Sequence, residues 1–487
     1  MTLAAGTRAS IVYWRERVHG TTPAGLTVAV GSVTMGTTAG GEVTMTRAAG
    51  DWEADGFIDG QWVQASSFAT AANNTDWKIK SVDSATVITV WDPSGVAAAE
   101  GSGSVLIVPI RLRATDRDVA GARSTIESEE VRASRQSADV TLGSVTVPGS
   151  FGFELSPEAF DDFIEFGMNS AFYTFSWDGT GTVAASTAGA LRGAFTRSSG
   201  SWIDDGFRVG DWVDVTGYAA SSGVNNGTWQ IITLTATVMT VYDPLDAIIV
   251  EATTGSEEFD LSGKRIDVGT TKHSFGIERR FEDVDQYQVF KGNTLDKLPV
   301  SIQPEAKIKG TMTTLGLETV AMTSSSVSSL TPREAPTYKS ISSFQGNLWE
   351  GGLLIGIPTG LNFEVNNNLQ QEFPVFSEFS PEIFDGGNTT TGSLSAYFED
   401  ATLQNKFENE TASTMVMDLR SKSDPTYFMN VVVPNLLYTG SDQETPQRGP
   451  IKQNLPWVAL EANLAVAGGA TVPSNLSIQV SNALSAS

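Results

Sequence analysis

A mainly β protein is what this chain of 487 residues predicts, and three observations carry the prediction. The composition is β-rich: charged residues make up only 18%, there are 47 glycines, and Thr, Ser and Val are abundant. One small β module is written twice. From Arg47 the chain reads R-A-A-G-D-W-E-A-D-G-F-I-D-G-Q-W-V, and from Arg197 it reads R-S-S-G-S-W-I-D-D-G-F-R-V-G-D-W-V. The match resumes at Asn73-Asn74 with Asn225-Asn226, and closes with T-V-I-T-V-W-D-P at Thr86–Pro93 and T-V-M-T-V-Y-D-P at Thr237–Pro244. Third, only one stretch shows a strong helical period. A copied module whose shared residues are turn formers and aromatics is a building block, which points to architecture before catalysis.

The totals bound the rest. The length suits about three domains with sizeable cores. Lys and Arg number 31 against 56 Asp and Glu, a formal charge of −25. Such a surface argues against nucleic-acid binding, which needs basic side chains on phosphate, and favours solubility. Cysteine is absent, so disulfides and thiolate metal sites are excluded. Met1–Arg8 lacks a secretory apolar core, and no run of 18 apolar residues occurs. The expectation is a soluble protein made in the cytoplasm.

In chain order, Ala9–Tyr13 predicts a short strand, followed by the turn-forming H-G-T-T-P-A-G. The first repeat covers 29–108. Val105–Leu112 reads as a strand. Arg111–Gln136 is dense in charges of both signs, the pattern of a solvated or interface segment. Val140–Leu155 predicts a strand pair bent at Pro148-Gly149. The strong helix follows: Ser156 as cap, Pro157 at the first position, Phe160, Phe163, Ile164 and Met168 on one face, and Gly167 as the stop. The second repeat covers 173–259. His273–Phe281 predicts a strand with Phe275, Ile277, Arg279 and Phe281 on one face, and Val300–Leu317 a hairpin bent near Gln303–Glu305. A Ser/Thr linker, Thr323–Thr331, precedes a last unit over 332–467. That unit holds Asn366–Phe379, Gly392–Asp400, a short helix around Leu403–Phe407, and Tyr427–Val433. The segment 468–487 reads as a loosely ordered C-terminal tail.

A fainter duplication lies outside the repeats. Gly149-Ser150-Phe151, a strand and the Phe160 helix parallel Gly392-Ser393-Leu394, a strand and the Leu403 helix, with Val300–Leu317 parallel to Leu455–Leu464. A competing register matches S-P-E-A-F-D at Ser156 with S-P-E-I-F-D at Ser380, and the two stay open.

Catalytic and binding chemistry is sparse. Trp52, Trp62, Trp77 and Trp91 have the residue type to stack on sugars, yet their spacing equally fits a small core around Phe57 and Val63. The only histidines are His19 and His273, and Asp283–Asp285 lacks the Gly and terminal Glu of a calcium loop, so no metal site is expected. There is no G-x-S-x-G, H-E-x-x-H or P-loop, and the G-T-G-T at Gly179–Thr182 has no phosphate-binding Lys. Asp161-Asp162 sits in the first turn of a helix, where the helix dipole accounts for it. No catalytic, cofactor-binding or metal residue is assigned, no cofactor is expected, and an enzyme is not.

Several blocks together resemble a known family. Arg123–Asp162, with S-x-E-x-R-x-S-R-Q, a strand, V-x-G-S-F and then E-L-S-P-E-A-F-D-D-F-I-E, is similar to the major tail (tail tube) proteins of bacteriophages with long, non-contractile tails. So are H-S-F-G-I-E-R-R-F-E-D-V-D-Q-Y-Q-V-F-K-G at His273–Gly292, the following L-P-V-S-I-Q-P-E-A-K-I-K-G-T-M-T-T-L-G-L-E, the opening T-R-A-S-I-V-Y-W-R-E-R-V-H-G-T-T-P-A, and Asn366–Glu410. The resemblance implies a tail-tube-type β-sandwich or barrel with a flanking short α-helix, with the two repeats as small homologous inserted β-domains; the fainter duplication, where it holds, makes the tube fold a tandem pair. The first tube domain would be discontinuous (1–28, 109–172 and 260–322), interrupted by repeat 1 at 29–108 and repeat 2 at 173–259, with a second tube-like domain at 332–467.

The same resemblance implies a structural virion protein that polymerises into stacked rings, a conduit for DNA ejection, located in the tail. Its partners would be itself, tail proteins such as the tape measure and terminator, and DNA in passage without specific binding, with no membrane insertion. If the tandem duplication holds, three chains make a ring; if not, six. The charged arm Arg111–Gln136 is the candidate for contacts between rings. The rival reading is a carbohydrate-binding or adhesion protein that uses its Trp-rich β-repeats.

Overall fold

The computed structural model describes residues 9–129, 139–219, 223–355, 357–444 and 448–481. The chain is mainly β, with short helices. Its first half is built on β1 (Ala9–Glu16), β2 (Asp116–Val119), β3 (Ala122–Glu127), β4 (Val140–Glu154), helix α1 (Asp161–Met168), β5 (Lys264–Asp267), β6 (Ser274–Phe281), β7 (Gln286–Ile302) and β8 (Lys309–Gly316). The second half has β9 (Gly346–Glu350), β10 (Pro358–Asn366), β11 (Thr389–Tyr397), helix α2 (Thr402–Glu408), β12 (Ser413–Arg420), β13 (Phe428–Tyr438), β14 (Asp442–Glu444), β15 (Lys452–Ala459) and β16 (Ser477–Val480).

The two halves repeat one pairing scheme. In the first, β1 pairs β6, β6 pairs β7, β7 pairs β8, β8 pairs β4 and β4 pairs β2, all antiparallel. In the second, β9 pairs β12, β12 pairs β13, β13 pairs β15, β15 pairs β11 and β11 pairs β10. The registers agree residue by residue. Tyr13 opposite Ile277 becomes Glu350 opposite Met415. Leu295 opposite Thr314 becomes Tyr438 opposite Trp457. Phe151 opposite Met312 becomes Leu394 opposite Leu455. Even the irregularity recurs, between Phe275 and Ile277 and between Ser413 and Met415. Bulges persist as positioned features of a fold, so their recurrence marks one design used twice.

This decides between the two registers of the fainter duplication. Gly149 corresponds to Gly392, while Ser156 and Ser380 fall after β4 and before β11 and are not equivalent. It also moves the other alignment, because Met312 rather than Val300 is the counterpart of Leu455.

The halves join edge to edge: Lys297–Ile302 of β7 pairs antiparallel with Leu361–Asn366 of β10. One apolar core runs through both, holding Tyr13, Phe151, Phe163, Ile277 and Met312 together with Leu394, Met415, Val433, Leu455 and Trp457. Strands of the first repeat, between Val30 and Ile107, close a barrel around Trp52, Phe57 and Trp77. Those of the second, between Val183 and Leu261, form a six-stranded sheet around Trp202, Phe207 and Phe259.

Several local expectations are corrected. Val140–Glu154 is one strand, not a pair. Pro148 gives its carbonyl to the Ala120 N–H (3.4 Å), where the partner strand changes from β2 to β3, so the ladder is interrupted where proline lacks a donor. Helix α1 begins at Asp161, because Glu158 at φ +62° lies outside helical geometry. It ends at Asn169 in the left-handed region; Gly167 is interior, where an added Cβ would lie 3.1 Å from Leu295. The expected loose tail is ordered as far as Ser481. Alternating Leu476, Ile478 and Val480 are buried, and β16 fills the gap between β5 and β13. Residues 482–487 lie outside the described residues.

Candidate assembly surface

The outer face of the main sheet is polar by alternation. Phe151, Phe153, Val300, Phe363 and Leu394 point to the core, so the residues between them point away. Those residues line an open trough of about 1110 Å3 that spans the junction of the halves, among them Asp116, Glu154, Lys309, Thr311, Asn362 and Glu364. Three carboxylates face one lysine there. Neighbouring lysines complete the balance, three against three: Lys307 is 2.7 Å from Glu154, and Lys297 is 3.4 Å from Glu364.

Two edges of this sheet have no strand partner among the described residues. β14 pairs only with β15, and β2 only with β4. An unpaired edge is a template for another strand. Alternation says which groups are offered. The Ala120 N–H faces β4, so the backbone groups of Val119 and Gly121 face outward. Arg279 Nη1 caps the Val119 carbonyl at 3.0 Å.

The charged run 111–136 is not one arm. Arg111 bonds Glu334 at 2.9 Å, Arg113 donates to the carbonyls of Pro336 and Tyr338, and 116–119 is β2 itself. What projects is the β3–β4 hairpin, with Ile126, Val140 and Leu142 exposed. Residues 130–136 lie outside the described residues. The loop 367–388 holds the corresponding place in the second half, and it exposes Val375 and Phe376.

The residues with the types needed for chemistry serve the fold instead. Asp162 accepts Arg15 Nη2 (2.6 Å) and the Tyr13 hydroxyl (3.1 Å), Glu165 also pairs with Arg15, and Asp161 lies 2.5 Å from Lys264. Burial opposes the Asp162 charge, but Arg15 and Lys78 outweigh it and bring its pKa down to about 2. These pairs clamp α1 to β1 and β5, so the two aspartates do more than answer a helix dipole. His19 and His273 meet the carbonyls of Gly292 and Ser170, each at 2.9 Å, and burial lowers both pKa values. Asp283–Asp285 forms the turn between β6 and β7. Among the described residues no cluster of three or more His, Asp or Glu is placed to hold a metal, and no helix is long and apolar enough to cross a membrane.

The tryptophans are packed. Trp52 and Trp202 are fully buried, each edge-on to Phe57 or Phe207 and each under an arginine, Arg47 at 5.0 Å and Arg197 at 4.8 Å. Those arginines repeat their other contacts as well, to Asp55 and Asp205 and to the carbonyls of Ala49 and Ser199. Gly50 and Gly200 must be glycine: both have positive φ, and a Cβ would strike the guanidinium. Trp62 and Trp212 are covered by Arg333 (3.6 Å) and Arg420 (3.8 Å). Trp52 and Trp202 leave no face free for a sugar, and Trp62 and Trp212 each have a face taken by an arginine; Trp77 is buried, while Trp91 is half-buried with Lys80 4.9 Å from its ring centre.

Edge positions 118–121 fall inside the charged run 111–136 but are not set apart within it, and 441–444 carry no motif; only the strand order distinguishes either edge. The family model described as phage tail tube protein matches residues 6–459. No curated protein matches the chain.

Proposed function

The chain belongs to the phage tail tube protein family, and from that premise we propose that copies of it polymerise into stacked rings forming the tube of a long, non-contractile tail, a conduit for DNA at ejection. Membership supports a structural virion role rather than an enzymatic one. The observation that carries the ring reading is the pairing scheme used twice, with its halves joined through strand edges. Each chain then supplies two equivalent tube units, and three chains make a ring with pseudo-sixfold order.

The division into a discontinuous tube domain, two inserted β-domains and a second tube domain fits this reading. The polar trough is the surface we assign to the lumen. The net charge of the whole chain, −25, favours sliding over sticking of a polyanion. The β3–β4 hairpin and the loop 367–388 leave from the same end of equivalent strands, so they project from one rim and contact the next ring. Tape-measure and terminator proteins are the further partners, and the protein is made in the host cytoplasm.

Negative-stain microscopy of concentrated protein tests the reading. Hollow rings or tubes with three chains per ring are expected, and protein that stays monomeric at every concentration sinks it. Exposed-glycan adhesion remains the second reading only if an isolated barrel binds sugars, which the covered indoles disfavour.

A further inference from the structure

The joint between the halves carries a template for the joint between chains. Each half has a leading edge and a trailing edge in the trough sheet. The leading edge of the first half is the end of β7, and the trailing edge of the second is β10; these two are already paired. What is left is the leading edge of the second half, β14, and the trailing edge of the first, β2. The equivalence is register-true. β14 continues the line of β13 and pairs Glu444 with Lys452, as β7 pairs Ser301 with Lys309. β2 pairs Arg117 with Phe151, as β10 pairs Leu361 with Leu394.

Resting on the reading that the chain self-assembles, we propose that β14 of one copy adds antiparallel to β2 of the next, in the register of the internal joint. Leu298 opposite Val365 maps to Ser441 opposite Gly121, Pro299 opposite Glu364 to Asp442 opposite Ala120, Val300 opposite Phe363 to Gln443 opposite Val119, and Ser301 opposite Asn362 to Glu444 opposite Asp118. The occupant is a second copy of this chain. The partner strand meets the outward backbone groups of Val119 and Gly121, which exchange hydrogen bonds with Gln443 and Ser441. Ala120–Asp442 and Asp118–Glu444 then become the close, non-hydrogen-bonded pairs. Val119 is fully buried in the lone chain, with its carbonyl capped by Arg279, so Arg279 must swing off that edge before a strand joins there. One conflict stands in the register: Glu444 faces Asp118, a like-charge pair that opposes joining. E444Q is therefore expected to assemble at about twofold lower concentration.

Disulfide trapping tests the register, because the chain has no cysteine of its own. The variants A120C/D442C and D118C/E444C place the thiols at close pairs, on opposite sheet edges within one chain, so any bridge is between copies. Oxidised assemblies are expected to run as covalent dimers and closed trimers on non-reducing gels. The control A120C/Q443C, one residue out of register with side chains on opposite faces, should trap about tenfold less. If assemblies form and neither in-register pair cross-links, or the control cross-links equally, the edge assignment is wrong while self-assembly stands. If the wild-type chain itself shows no assembly by sedimentation, the underlying reading falls and this one with it.

Discussion

Val289 and Val432 occupy one station of the repeated scheme: Val289 lies opposite Glu278 across β6 and β7, and Val432 lies opposite Val416 across β12 and β13. Both valines pack against a cluster that ties an inserted domain to the body, Val289 with Trp14 and the barrel of the first repeat, Val432 with Ile232, Trp349 and Val416. Their partners differ. Val416 is apolar and meets Ile232 of the second inserted domain, whereas Glu278 is fully buried and accepts Arg280 Nε (2.6 Å), the Ser326 hydroxyl (2.9 Å) and the Val327 N–H (2.7 Å).

The substitution E278V follows the second half's choice and should fail in the first. It leaves Arg280 buried without its carboxylate and the Val327 N–H without its acceptor, a loss of about 3–5 kcal/mol. Denaturant unfolding is expected to show a lower midpoint, and limited proteolysis faster cleavage near residues 323–331.

Stability should fall between mildly acidic and neutral pH because of Glu16. This buried carboxyl accepts the N–H groups of Gly20 (3.0 Å) and Gly292 (3.1 Å), and burial pushes its pKa up to about 7 despite those bonds. A carboxyl raised on folding favours the neutral form, so its contribution is complete below the unfolded value near 4.5 and is lost as pH rises through 7. The span is on the order of 3 kcal/mol. Asp162 runs the other way, stabilising above pH 4 and failing as pH drops toward 2. E16Q should flatten the upper slope of stability against pH and leave the acid limb in place; an unchanged upper slope would remove Glu16 as its cause.

W202A should collapse the second inserted domain, at about 3–5 kcal/mol, because it empties a sealed site and strips Arg197 of its ring. W52A should do the same to the first. Loss of near-ultraviolet signal without any change in glycan-array readout is the expected pair of results. A stably folded W202A that lost a sugar ligand would favour the adhesion reading.

Replacing residues 124–144 by a two-residue turn keeps β2 and the end of β4 but removes the projecting hairpin. Single rings that no longer stack are expected by microscopy. Full-length tubes from this variant would reassign the contact between rings. A cut beginning at Thr115 would be a poorer experiment, since it also removes the β2 edge.

Much of this molecule is legible in residue order, and the rest is hidden for physical reasons. The inserted domains announce themselves because Arg47, Gly50 and Trp52 act as one local unit, repeated as Arg197, Gly200 and Trp202, and a local unit leaves a local signature. The larger duplication is faint, because pairs such as Thr314 and Trp457 share a register and no chemistry. Pro148 misleads because a proline is harmless where strand partners change hands, which depends on residues 119–122 and not on its neighbours. The tail reads as loose through its small residues, although Leu476, Ile478 and Val480 alternate as a buried strand does. The open edges have no signature at all: a vacancy in a sheet is a property of topology.

The β7–β10 seam has a kinetic meaning as well as a geometric one. In a closed ring of three such chains, every second seam is peptide-linked in advance and cannot be undone by dilution. Assembly therefore takes two encounters before the ring closes on itself, where single-unit subunits would need five. A dilute pool of freshly made chains should nucleate tubes at a concentration set by the weaker, intermolecular seams alone.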